Sequence, residues 1–165
     1  MLTRRHIRIK VFQSLYALTK TDESTIEQQQ KSLKQSIDQS TVLYLLQLNF
    51  FYALRQWAIH ETEARKKAYL DSSKSTFVDP ERFIENPYLM AITESETLRE
   101  AWKKFKINHW YLNEKYVVKV YKEYVSSVSF KGYMELEKPT LKEHQAQLLT
   151  LFHDFIAPMT ICTVL

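Results

Sequence analysis

Apolar residues recur at helical spacing along almost the whole chain. Between residues 3 and 19, Ile7, Val11, Leu15 and Leu18 follow one another at intervals of four, four and three, which places them on one face of a 3.6-residue helix. Phe12 and Tyr16 widen that face, so the C-terminal half of this helix is expected to dock into a core. If Leu15 is a core residue, its truncation to alanine costs roughly 2–5 kcal/mol. A polar turn at residues 20–23 leads into Ser24-Thr25-Ile26-Glu27, which predicts a capping box with Ser24 as the cap and Glu27 reaching back. Ile26, Leu33 and Ile37 then form a narrow stripe. Residues 41–54, TVLYLLQLNFFYAL, are apolar nearly all round, the pattern of a helix at the centre of a bundle. The pattern continues through Trp57, Ile59 and Ala64 to a charged end at residues 61–67. It leaves open whether residues 25–69 are one helix or break near Asp38 to Ser40.

Residues 71–77, DSSKSTF, predict a loop. Asp79-Pro80-Glu81 predicts a short helix with proline at its first position, Phe83 and Ile84 facing inward, and Asn86-Pro87 as its end. Tyr88, Leu89 and Ile92 tether the next turn. Ser95 opens a further helix through Leu98, Trp102 and Phe105 toward Trp110, with a break at Asn113-Glu114. In residues 116–128 the β-branched Val117 and Val118 favour a strand. The spacing of Val117, Val120, Tyr121 and Tyr124, and of Lys115, Lys119 and Lys122, is nevertheless helical. Residues 132–139 predict a turn region, and Thr140-x-x-Glu143 a second capping box. Leu141, Leu148, Leu151, Phe152 and Phe155 then outline an amphipathic helix ended by Ala157-Pro158. The apolar, uncharged tail of residues 159–165 is expected to tuck into a groove or add to a partner.

Composition narrows this to an all-α protein, a helical bundle of about five to seven helices. One glycine, Gly132, in 165 residues is too few for a multi-stranded sheet or a phosphate-cradling loop. The length suits a single helical domain over 1–165, or two small subdomains sharing a core, with residues 1–70 as basic helix plus long core helix and 78–157 as further helices. A single cysteine, Cys162, excludes an intramolecular disulfide and a thiolate metal cluster. With no early apolar run of signal-peptide type and no membrane-length apolar segment, a cytoplasmic protein is expected.

Catalytic constellations are absent from the pattern. His6, His60, His109, His144 and His153 include no pair at i,i+4, Ser72, Ser73 and Ser75 lack an elbow motif, and Cys162 has no basic neighbour. His109 beside Trp110 reads as a packed aromatic. No metal, no cofactor and no enzyme activity are therefore expected.

Charge singles out the first helix. Residues 1–20 carry Arg4, Arg5, Arg8, Lys10 and Lys20 and no acid, a local +5 in a chain of net charge +4. Local basicity is the footprint of a nucleic-acid contact, although such runs also serve only to keep a chain soluble. Arginines at a helix N-terminus oppose the macrodipole, and a bound phosphate reverses that sign. A second basic stretch, residues 103–122, interleaves Lys103, Lys104 and Lys106 with Phe105, Trp110, Tyr111 and Tyr116. It reads either as a stacking and phosphate surface or, favoured by the helical spacing, as core aromatics with a solvated lysine back.

The order Arg4-Arg5-x-x-Arg8-x-x-Val11-x-Gln13-x-Leu15-Tyr16-Ala17 resembles the opening of the NusB family of bacterial transcription antitermination factors. In that family a basic run leads into a helix ending in a Gln-x-Leu-Tyr pattern. The stretch is most similar to the Bacteroidetes branch, whose N-terminal half is long. Leu43-Tyr44-Leu45-Leu46 is similar to a family helix, and Phe77-Val78-Asp79 to a segment of that branch. The alternating acidic and apolar helix of the family's second subdomain has no counterpart, so the resemblance is to the N-terminal half and the C-terminal subdomain is expected to be lacking.

The resemblance implies binding of boxA-like single-stranded RNA from ribosomal RNA leaders together with the ribosomal protein NusE, within the antitermination complex of RNA polymerase. A homodimer is open as a further assembly. It implies Arg4, Arg5, Arg8 and Lys10 on phosphates, Gln13 as a polar contact, and Tyr16 on a base or on NusE; a core tyrosine with a wet hydroxyl is the other reading of Tyr16. Two other classes remain at this point: a helical protein–protein interaction module, and the RNA-binding front domain of a ribosomal RNA methyltransferase.

Overall fold

The computed structural model describes residues 3–20, 25–69 and 80–158. The predicted loop at 71–77, Ser24, Phe77-Val78-Asp79 and the tail with Cys162 lie outside the described residues. Among the described residues the chain is all α-helical. Its elements are α1 (Arg4–Lys20), α2 (Ile26–Tyr69), α3 (Glu81–Ile84), α4 (Pro87–Glu94), α5 (Glu96–Lys104), α6 (His109–Leu112), α7 (Glu114–Ser126), α8 (Val128–Glu135) and α9 (Leu141–Thr150), followed by a π-helical turn, Leu151–Ile156. None of these helices is long and apolar enough to cross a membrane. The chain divides into two compact units, Met1–Leu46 and Gln47–Leu165. The division falls inside α2 rather than near residue 70, and α2 has no break at residues 38–40.

In the first unit, Thr3 starts α1, its Oγ1 accepting from the His6 N–H at 3.4 Å. The capping box of α2 lies one residue later than its sequence suggested. Thr25 Oγ1 accepts from Gln28 N–H at 3.3 Å, and Gln28 Oε1 accepts from Thr25 N–H at 3.1 Å, so Gln28 takes the role expected of Glu27. α1 and the start of α2 run antiparallel, because Lys10 Nζ donates to Ser36 Oγ at 2.5 Å while Ser14 Oγ, further along α1, donates to the earlier Gln29 carbonyl at 3.3 Å. The predicted docking of α1 into a core is not what forms. α1 has no buried residue, and Phe12 and Leu15 are 70% and 57% exposed. Its half-buried positions are Lys10, Ser14, Ala17 and Leu18, a stripe rotated by about one residue step from the apolar one. Small and hydrogen-bonding side chains face α2, which leaves the larger apolar ones outside.

In the second unit α2 contributes Phe50, Phe51, Leu54 and Ala58 to the core. Tyr124 of α7 sits at the aromatic centre, 5.4 Å from Phe83, 4.9 Å from Phe130 and 5.6 Å from Phe155 between ring centroids. Its hydroxyl accepts from Gln147 Nε2 at 2.8 Å, and burial pushes its pKa up. The helical reading of residues 116–128 holds as far as Ser126, where Ser127 in extended backbone ends α7 before α8: α7 buries Val117, Val120, Tyr121 and Tyr124.

Several local expectations change in the folded chain. Pro80 caps α3 instead of occupying its first position. Asn86 begins α4 as well as closing α3, its Oδ1 accepting from Tyr88 N–H at 3.0 Å and Leu89 N–H at 3.4 Å, with Pro87 next. Asn86 is fully buried, and its Nδ2 donates to Tyr133 Oη at 3.3 Å and to the His144 carbonyl at 3.1 Å. One side chain thus ties α4 to α8 and α9. Gly132 lies inside α8 and not in a turn, whereas the capping box at Thr140 and Glu143 forms as expected. The last helix passes into the π turn, and its inward residues Leu151 and Ile156 are five apart, as a π turn requires.

α5 ends in a Schellman arrangement, with Ile107 N–H donating to the Trp102 carbonyl at 2.8 Å and Lys106 N–H to that of Lys103 at 3.2 Å. This geometry puts Lys106 at φ 53°, a left-handed position usually held by glycine.

Candidate nucleic-acid interface

α1 carries the predicted site residues, and helical geometry sorts them. At about 100° per residue, Arg5, Arg8, Phe12 and Tyr16 fall within about 80° of arc. All four are exposed, Tyr16 at 58%. They lie opposite the stripe that Lys10 and Ser14 turn toward α2. The outward face of the helix is therefore a ladder of two guanidinium groups followed by two aromatic rings. Thr19 Oγ1 donates to the Tyr16 carbonyl at 2.8 Å, and Lys20 Nζ stands 5.8 Å from the Tyr16 ring centroid. That cation extends the basic character of the face to its C-terminal end.

The other predicted residues are distributed differently. Arg4 is exposed at the first position of α1, beside the Ile7 and Val11 edge. No acid stands in the first turn, so the positive end of the helix dipole and the arginines add to one local field. Gln13 is exposed but lies off the ladder. Lys10 is half-buried and held by Ser36 at 2.5 Å on the side turned to α2, which sets it apart from the three arginines. Tyr16 is not a core tyrosine. Phe12, which the sequence pattern assigned to the core together with Tyr16, also stands on the outward face, and no sequence reading names it as a contact residue. Its spacing, four from Arg8 and four from Tyr16, was the available signal.

The second basic stretch divides in the same way. Trp110 is buried against Phe50, with ring centroids 4.4 Å apart, as expected of a core aromatic. Tyr111 is 88% exposed, and Lys103, Lys104 and Lys106 are exposed. His109 packs edge-on to Trp110 at 4.9 Å. Among the described residues no group of three or more His, Cys, Asp or Glu side chains is placed to hold a metal ion.

No model of a known protein family, no curated protein and no solved structure matches the chain.

Proposed function

We propose that the chain binds single-stranded RNA along α1 and acts without chemistry of its own. The observation that carries this reading is the exposed ladder Arg5, Arg8, Phe12 and Tyr16, opposite the face held to α2. Single-stranded RNA needs cations for its phosphates and flat rings for its unpaired bases. Arg5 and Arg8 take phosphates, with Arg4 and the open N–H groups of the helix start beside them. Phe12 and Tyr16 each offer a ring to a base.

Together with the resemblance of residues 4–17 to the NusB opening, this supports a transcription antitermination role. The RNA is then a boxA-like element, bound in the cytoplasm with NusE in the complex on RNA polymerase. Ile7, Val11 and Leu15, exposed on the flank of the ladder, are the surface offered to that protein partner. The same flank is what favours the second reading, a protein-interaction module, in which the arginines meet an acidic protein.

Replacing Arg4, Arg5 and Arg8 together by Glu separates the two readings. The triple variant is expected to keep the helical circular dichroism spectrum and to lose RNA binding. RNA affinity equal to the unmodified chain's in a folded triple variant removes α1 as the RNA site.

A further inference from the structure

We infer that a cleft in the second unit is a nucleotide site, with aromatic rings for the base at one end and cations for the phosphate at the other. Two recesses, each of about 570 Å³, share Asn49, Tyr52, Ile107 and Asn108 as a common wall. That size lies within the roughly 300–1,000 Å³ typical of small-molecule sites. The first recess is lined by Trp57, Trp110 and Tyr111 in addition to Tyr52, and Gln56 adds a third carboxamide to Asn49 and Asn108. Flat rings and carboxamides are what a nucleobase needs, the rings for its face and the amides for its edge. Tyr111, 88% exposed, has a ring the core does not use.

The second recess is cationic. Arg99, Lys103 and Lys106 line it, and Arg99 is fixed by donating Nε and Nη2 to the Thr93 carbonyl at 3.3 and 3.1 Å. Among the described residues the one carboxylate of the cleft, Glu114, lines the aromatic recess and not this one. A phosphate therefore belongs at the Lys103 and Lys106 end and a base at the Tyr111 end.

Lys106 takes the left-handed position of the Schellman turn, where glycine fits with least strain, and so places a cation on the rim of the cleft.

Intrinsic fluorescence of the full chain tests the site, because all three tryptophans line the cleft. Titration with uridine monophosphate, adenosine monophosphate and a short oligouridine is expected to change the emission saturably. Tyr111→Ala should weaken binding roughly tenfold, the loss of one stacking contact. Lys103→Gln combined with Lys106→Gly should weaken it and flatten its salt dependence. Lys106→Gly alone separates fold from site: it relieves the backbone, so the variant melts no lower than the parent while binding more weakly. Arg4, Arg5 and Arg8 all changed to Glu leaves the mononucleotide response intact, which keeps this site distinct from the α1 reading. Tighter binding of oligouridine identifies an RNA strand as the ligand, and equal affinity identifies a free nucleotide. No saturable response to any of the three probes, or a response unaffected by Tyr111→Ala, overturns the proposal.

Discussion

Asn86→Ala is expected to destabilise the second unit by about 3 kcal/mol, more than most single polar substitutions. The residue is fully buried and makes four hydrogen bonds through one carboxamide. Its Oδ1 caps α4, accepting from Tyr88 and Leu89 N–H at 3.0 and 3.4 Å, and loss of such a cap costs about 1 kcal/mol. Its Nδ2 donates to Tyr133 Oη and the His144 carbonyl, and each lost bond costs about 1 kcal/mol net. Asn86→Ser keeps a capping oxygen and removes both Nδ2 donors, so it should cost about 2 kcal/mol. Urea unfolding followed by far-UV circular dichroism measures both. A loss for Asn86→Ala under about 1 kcal/mol would show that the buried network does not hold α4, α8 and α9 together. Equal losses for the two variants would show that the Asn86 Oδ1 cap does not stabilise α4.

Three further outcomes follow from the same geometry. Leu15→Ala should change stability by less than about 1 kcal/mol, as for an exposed side chain, while Leu54→Ala, fully buried, should cost roughly 2–5 kcal/mol; a large loss at Leu15 in urea titrations would show that α1 is docked after all. Gly132→Ala should stabilise by about 0.5–1 kcal/mol, since Gly132 lies within α8 and an added Cβ meets nothing within 4 Å, and a lower melting temperature would contradict that. Thr140 holds the Glu143 carboxyl below its ordinary pKa of 4.5 through its N–H and hydroxyl. A depressed carboxyl stabilises the fold above its unfolded pKa, and the contribution fades as pH falls through the folded one. The melting-temperature gap between the parent and Glu143→Ala should therefore close as pH is lowered below 4.5, and a gap constant with pH would count against the capping box.

The all-α class, α7 and the Thr140 capping box were legible in the sequence because each depends on residues within one or two turns of each other. The core aromatics Trp110 and Tyr124 followed from the same periodicity. The facing of α1 did not. Ile7, Val11, Leu15 and Leu18 form the better apolar stripe, yet Lys10 and Ser14 bond to residues 26 and 15 positions away, and that choice is invisible to a one-helix pattern. Asn86 looked like a helix end because its partners Tyr133 and His144 are 47 and 58 residues distant. Of the candidate site, Arg4, Arg5 and Arg8 were readable from charge, whereas spacing put Tyr16 on the apolar face and only the resemblance named it as a contact residue. Phe12 was read as core because an aromatic on a helix is more often buried, and the exposed rings of residues 103–122 were obscured by the same prior.

The most direct test of the α1 reading is fluorescence anisotropy of a labelled boxA-like RNA and a scrambled control, with and without NusE, across a salt series. Preferential binding of the boxA-like RNA is expected, strengthened by NusE and weakened by salt in step with the phosphates that the α1 arginines neutralise. Weak binding that is indifferent to RNA sequence and to NusE would contradict it.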